Sequence, residues 1–168
     1  MSQEPGAGRA RRRALDRLWI VVADGGMARV LGVTGDRRGL TVLREMTSVD
    51  AHRRSLDLAS DRPGRSFESD APMRHSIESR RDPHDEARER FIAQVAAMLV
   101  EDNRARQFDE LILIVAQGLS GRLRDALDGA TRARVRETLL KDLTKVPIAE
   151  LHERLVEAGL LPARVAGT

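Results

Sequence analysis

Residues 18–26 read Leu-Trp-Ile-Val-Val-Ala-Asp-Gly-Gly, an apolar run that ends in a turn signal. A continuous apolar run rich in β-branched residues is typical of a strand that is buried on both faces. The Asp-Gly-Gly that follows predicts a hairpin turn, because glycine adopts positive φ without steric cost. The fold is therefore expected to open with a β-hairpin that turns at Asp24.

The residues after this turn predict two further strands and then a change of structure. Residues 28–34 and 40–47 alternate loosely between apolar and polar types, so they are interpreted as the second and third strands. From residue 48 to 83 the periodicity is lost in a stretch rich in Arg, Ser, Asp and Pro. A loop of this length within a compact domain is usually functional or disordered.

A long helix is predicted after this loop. Asp82 is a suitable N-cap and Pro83 suits the first helical turn. Apolar residues at helical spacing over positions 91–100 then form a stripe that would face a core.

The remaining elements are expected to alternate between strand and helix. Residues 111–116 form a second fully apolar run, and a turn at 117–121 leads into a short helix at 122–127. Residues 132–143 fit either a helix or a short strand, and their position after a β-α unit favours the strand. A final helix at 147–158 ends before a glycine.

The element order β-β-β-α-β-α-β-α predicts an α/β fold with a ribonuclease-H-like mixed sheet and helices on its faces, in two or three layers. The two fully apolar strands should be adjacent and parallel at its centre. Residues 1–15 are expected to be a disordered basic tail, residues 16–162 a single domain with a long loop at 48–83, and residues 163–168 a second tail.

Composition narrows the class of protein. The length of 168 residues is about that of one domain, and no apolar run approaches the ~20 residues needed to insert into a membrane. The absence of cysteine removes disulfides and thiolate nucleophiles. The N-terminal arginines are not followed by the apolar segment of a secretory signal, so a cytoplasmic protein is expected.

The basic residues favour phosphate binding only where they cluster. The formal net charge is +3, and all but two of the 29 basic residues are arginine. Arginine binds phosphate as a planar fork, although a general bias toward arginine would give the same composition. One Trp, three Phe and no Tyr argue against a protein that stacks the bases of single strands.

Four segments together resemble a known family. They lie at residues 19–30, 64–67, 109–116 together with 119–124, and 141–145, in that order. The segments are similar to the bacterial host attachment protein family, named for a requirement in attachment to host cells, over about residues 18–161. The most specific parts are Ala-Asp-x-x-x-Ala-Arg at residues 23–29 and Lys-Asp-Leu-Thr at 141–144.

That family is in turn distantly similar to the middle domain of archaeo-eukaryotic peptide release factors. The resemblance implies an intracellular binding role linked to RNA, the ribosome or a protein partner, with host attachment as an indirect outcome. Release factors act through a Gly-Gly-Gln loop, whereas residues 25–27 here are Gly-Gly-Met within the predicted hairpin turn. Release of peptides by that route is therefore not expected.

The turn at residues 117–121 is a candidate anion site. It follows an apolar strand at the end of the sheet where α/β proteins bind ligands, and free backbone amides favour phosphate. With nearby cations, the candidate anion- or RNA-binding residues are Arg29, Arg65, Gly118, Gly121, Arg122, Arg124 and Lys141. A tight turn with solvated arginines explains the same residues without a ligand.

A metal-dependent nuclease or phosphoesterase is the alternative function. Such sites cluster carboxylates around two metal ions about 4 Å apart. Asp24 is a weak first ligand candidate, with Glu86 or Glu89 as a second, but Ala-Gln stands where a third acid is expected after the fourth strand. Asp24 is more simply a turn residue that binds backbone amides, so no catalytic residue and no cofactor are assigned.

The histidines and the long loop supply two weaker hypotheses. His52, His75 and His84 are spaced too widely for a typical zinc site, and His152 is expected on the surface of the last helix. The 48–83 loop is a candidate docking segment for a protein partner in adhesion or stress physiology.

Overall fold

The computed structural model of the chain describes residues 17–34, 39–50 and 82–163. Its elements are β1 (Leu18–Ala23), β2 (Met27–Val33), β3 (Leu40–Thr47), α1 (Pro83–Arg104), β4 (Glu110–Val115), α2 (Ser120–Ala126), α3 (Gly129–Arg132), β5 (Val135–Leu140) and α4 (Ile148–Glu157). The predicted order is confirmed with one addition, the short α3, and the ambiguous segment 132–143 contains a strand. The basic tail and most of the predicted 48–83 loop lie outside the described residues.

The five strands form one mixed sheet in the order β3-β2-β1-β4-β5. β1 and β2 are antiparallel, as are β2 and β3, whereas β1 is parallel to β4 and β4 is parallel to β5. The ribonuclease-H-like arrangement and the central parallel pair of apolar strands are therefore confirmed. Because β1, β4 and β5 run the same way, all three begin at one edge, the N-terminal edge, and end at the other, the C-terminal edge.

Alternate residues of the central strands fill two separate cores. Val21 and Leu113 pack with α1 and α2 on one face of the sheet. Ile20 and Ile112 pack with α4 on the other face. The fold thus has three layers, which explains why β1 and β4 are apolar at nearly every position.

The start of α1 agrees with the sequence prediction, whereas the position of His152 on α4 does not. The Asp82 carboxylate accepts a hydrogen bond from the His84 N–H at 2.9 Å, and Pro83 is the first residue of α1, so the predicted helix start is confirmed. The expected surface position of His152 is wrong, because only 2% of the residue is exposed. His152 lies four residues after Ile148 and three before Leu155, which places it on the buried stripe of α4.

We expect Leu113→Ala to lower the free energy of unfolding by about 2–5 kcal/mol, because Leu113 is fully buried in β4 and its truncation leaves a cavity. Leu43→Ala is the matched control, since Leu43 is 46% exposed on β3, and it should change stability by about 0.5 kcal/mol or less. Urea unfolding followed by circular dichroism measures both. Equal losses in the two variants would contradict this packing.

Candidate functional site

The hairpin turn at the C-terminal edge is built around the carboxylate of Asp24. Asp24 Oδ1 accepts hydrogen bonds from the backbone N–H groups of Gly26 and Met27, each at 2.7 Å. The backbone N–H of Asp24 donates to the Met27 carbonyl at 2.9 Å. The interpretation of Asp24 as a turn residue that binds nearby amides is therefore confirmed.

The second oxygen of this carboxylate connects the turn to a distant part of the chain. Asp24 Oδ2 accepts from the Thr144 hydroxyl at 2.8 Å, although the two residues are 120 positions apart. The same hydroxyl lies 2.9 Å from Asp142 Oδ1, and only 2% of Thr144 is exposed. Since the hydroxyl carries one proton, it donates to one of the two carboxylates at a time.

Arg29 makes a second connection between the same two regions. Its side chain is on the face of the sheet that carries Leu31 and α4, and the residue is only 9% exposed. Arg29 Nη2 donates to the carbonyl oxygens of Leu143 at 3.2 Å and Val146 at 2.7 Å, while the buried Nε has no partner among the described residues. Arg29 was expected on a basic surface; the structure instead buries it and bonds it to main-chain carbonyls.

These bonds join the two most specific segments of the sequence. We call the set formed by Asp24 with Thr144, and Arg29 with Leu143 and Val146, the turn latch. It holds the β1–β2 turn against the segment that connects β5 to α4. A buried donor or acceptor that loses its partner costs about 1–3 kcal/mol, so the latch contributes to the fold itself.

Sequence reasoning missed the roles of Thr144 and Asp142. The Lys-Asp-Leu-Thr segment was recognised as specific, but no partner was assigned to its side chains. A buried threonine between apolar strands and a final helix needs a hydrogen-bond partner. That requirement was the available signal, although it does not identify Asp24 as the partner.

Within the turn at residues 117–121, the structure shows one backbone amide already bonded and only a short helix after it. Gly118 adopts φ 87°, which favours glycine, and the Leu119 N–H donates to the Ala116 carbonyl at 3.1 Å. The helix α2 has only seven residues and begins at Ser120, two residues before the predicted start. Gly121 lies in its first turn. Because a helix of seven residues contributes little positive potential at its N-terminus, positive charge at this turn comes mainly from nearby side chains.

One of the candidate cations at this edge is paired with a carboxylate. Arg122 forms an ion pair with Glu89 of α1, and Lys141 precedes Asp142 in the chain. Arg124 and Lys141 are both exposed. Arg65 lies outside the described residues. At the C-terminal edge Arg122 is therefore paired, whereas Arg124 and Lys141 form no ion pair with the described part of the chain.

The carboxylates proposed for a nuclease site are already bonded within the protein or exposed. Both oxygens of Asp24 accept hydrogen bonds, Glu89 is paired with Arg122, and Glu86 is exposed. Arg88 covers the turn, since a Cβ added to Gly25 would lie 2.7 Å from Arg88 Cγ. Within residues 17–34, 39–50 and 82–163, no three His, Asp or Glu side chains are grouped to hold a metal ion. His52 and His75 lie outside those ranges.

A sequence profile of one family, described as "Protein required for attachment to host cells", matches residues 19–155. The chain belongs to this family, and the resemblance seen in the sequence is confirmed. No curated protein matches the sequence. No helix in the described ranges is long and apolar enough to cross a membrane.

Two solved structures are similar at low identity. The archaeal translation termination factor aRF1 is 15% identical, with a TM-score of 0.39 over 84% of this chain and 38% of that chain. A second structure, described as an archaeal protein, is 15% identical, with a TM-score of 0.41 over 90% of this chain and 41% of that chain. The present chain thus spans about two fifths of the length of either protein.

We expect Thr144→Val to lower the free energy of unfolding by about 1–3 kcal/mol, because the Asp24 carboxylate loses a buried donor. Combined with Asp24→Ala, the loss should fall short of the sum of the single losses by about 0.5–3 kcal/mol. Thr41→Val on the exposed β3 is the control and should be nearly neutral. Additive losses in the double variant would contradict a bond between Asp24 and Thr144.

Proposed function

We propose that this member of the host-attachment family is a non-enzymatic module that binds RNA in the cytoplasm, on the ribosome or as free RNA. The observation that carries the proposal is the turn latch. The polar side chains of the two most specific segments are used to hold the fold together. A partner would therefore recognise the shape and charge of the surface around these two segments.

The hydrogen bonds that the Asp24 carboxylate accepts support a role without catalysis. Two-metal nucleases need open carboxylate oxygens that converge on the ions. Both Asp24 oxygens already accept bonds from Gly26, Met27 and Thr144, and β4 is followed by Ala116 rather than an acid. The Asp24 carboxylate is thus better suited to hold the turn than to hold a metal ion.

The exposed arginines and the packed aromatic rings support binding to RNA through its phosphates. Arginine forms charge-assisted bonds with phosphate oxygens in a fork geometry. Trp19 and Phe108 pack against each other with ring centroids 5.0 Å apart, and Phe91 is buried, so these rings are not free to stack on bases. Phosphate contacts position a nucleic acid without reading its sequence. Host attachment would then follow indirectly from an action on RNA.

We expect the full-length protein to sediment with ribosomes or large RNA in low salt, about 50 mM, and to be released at about 200 mM, because phosphate contacts weaken as salt rises. Gradient fractions are assayed for the protein and for RNA. Migration free of RNA at the lower salt would contradict the proposal. So would salt-insensitive recovery with a protein partner, which would favour docking through residues 48–83.

We expect the wild-type protein to leave RNA and DNA substrates intact in the presence of Mg²⁺ or Mn²⁺, because the Asp24 oxygens are bonded within the turn latch. Asp24→Asn keeps one carbonyl oxygen and serves as the matched variant. Electrophoresis of end-labelled substrates detects cleavage. Cleavage by the wild type that disappears in Asp24→Asn would establish the nuclease instead.

A further inference from the structure

Six arginines lie together where β1, β4 and β5 begin, at the N-terminal edge of the sheet. They are Arg17, Arg104, Arg106, Arg132, Arg134 and Arg136, and all are exposed. Arg17 Nη2 donates to the Arg106 carbonyl, and the Arg17 carbonyl accepts from the Asp109 N–H at 2.9 Å. Arg134 Nη1 donates to the Asp109 carbonyl at 3.4 Å. We call these six residues the arginine edge.

Three of the six have carboxylate partners. Arg17 Nε lies 3.2 Å from Asp109 Oδ2, and Arg136 Nη1 lies 3.3 Å from Glu110 Oε2. Arg104 is 3.9 Å from the carboxylate of Asp128. Exposed pairs of this kind are weak and screened by salt, so these arginines can exchange partners readily.

The carboxylate of Asp128 is held by other bonds. Its Oδ1 accepts from the Thr131 N–H at 2.8 Å and caps α3. The hydrogen bonds from Thr131, and to a smaller extent the charge of Arg104, lower the pKa of Asp128 below its ordinary value. Asp128 thus keeps its negative charge beside Arg104 while it caps α3.

The other three arginines carry unneutralised charge. Arg132 Nη2 donates to the Leu127 carbonyl at 3.1 Å, and Arg134 likewise bonds a carbonyl rather than a carboxylate. Arg106 has a backbone φ of 55°, in the left-handed region, and its side chain makes no hydrogen bond or ion pair with the described part of the chain. Each guanidinium thus keeps N–H donors available for an incoming anion.

The C-terminal edge differs in the number of its unpaired arginines. Arg122 there is paired with Glu89, while Arg124 and Lys141 are exposed and form no ion pair with the described part of the chain.

The partner expected at this edge is a polyphosphate rather than an acidic protein. Protein interfaces depend on apolar or aromatic anchors that become buried. The large exposed apolar side chains of the described ranges are Val42, Leu43, Val49 and Leu140. Val42, Leu43 and Val49 lie on β3 or just after it, on the side of the sheet opposite β5, and Leu140 lies at the end of β5 at the C-terminal edge.

We propose that the arginine edge is the surface that binds RNA, and that it contacts the phosphate backbone of a folded, double-helical segment. The inference rests on the proposed function and names the surface that performs it. It also moves the predicted RNA contacts away from the C-terminal edge, where the sequence had suggested them. Because the contacts are made to phosphates, binding should depend strongly on salt and weakly on sequence.

The test measures fluorescence anisotropy of a labelled RNA hairpin with the full-length protein over a series of salt concentrations. In the triple variant Arg106→Gln, Arg132→Gln and Arg134→Gln, the slope of log affinity against log salt should flatten by about 2–3, one unit or slightly less per lost contact. Affinity at low salt should fall at least about tenfold. The triple lysine variant at the same positions should bind nearly as well as the wild type.

The matched control removes the same formal charge from the other edge. The triple variant Arg122→Gln, Arg124→Gln and Lys141→Gln should keep the wild-type slope. A further single variant, Arg106→Gln, removes a side chain with no bond in the described structure, so it tests the surface without disturbing the fold. It should flatten the slope by about 1.

The outcomes distinguish the surface from the function. If the slope of log affinity against log salt flattens in the arginine-edge variants and not in the control, the assignment of the surface is supported. An equal loss in both triple variants, a loss only in the control, or an unchanged slope in Arg106→Gln overturns it and leaves the proposed function in place. A wild-type protein that binds no RNA at low salt overturns the proposed function as well.

Discussion

The carboxylate of Asp24 connects the two halves of this fold. One oxygen closes the β1–β2 turn through the Gly26 and Met27 amides, and the other reaches Thr144 in the segment before α4. Arg29 reinforces the connection through the Leu143 and Val146 carbonyls. A polar cluster at the C-terminal edge therefore adds to the apolar packing that holds α4 on the second face of the sheet.

The same bonds occupy the polar side chains of the most specific segments of the sequence. A carboxylate that serves as acceptor for two amides and a hydroxyl has little capacity left for a metal ion. Arg29, buried beside the same segment, bonds two main-chain carbonyls through Nη2, while its Nε has no partner among the described residues. The functional surface is then expected among side chains that the fold does not require, and the unpaired arginines at the opposite edge meet that condition.

Local patterns in the sequence predicted most of the fold. The apolar runs at residues 18–23 and 111–116 indicated the central strands, because a strand covered on both faces must be apolar at nearly every position. Asp82 and Pro83 indicated the helix start through capping chemistry that acts over a few residues. Such features are determined by neighbours in the chain, so they can be recognised without a structure.

The site was harder to predict because its contacts join distant positions. The partner of Thr144 lies 120 residues away, and the burial of Arg29 depends on the segment that packs under β2. Likewise, Arg106 and Arg134 share an edge with Arg17 only because β1, β4 and β5 are parallel and begin at the same edge. Sequence spacing alone placed the candidate binding residues at the C-terminal edge, because it could not show that six distant arginines would meet at the other edge.

The central claim is that the C-terminal edge holds the fold while the N-terminal edge holds the RNA. Backbone amide NMR of the labelled full-length protein, titrated with an RNA hairpin, tests both parts at once. The account predicts shifts concentrated at Arg17, Arg106, Arg132 and Arg134, with the Gly26 and Met27 amides unchanged. Shifts centred instead on residues 117–124 would contradict it.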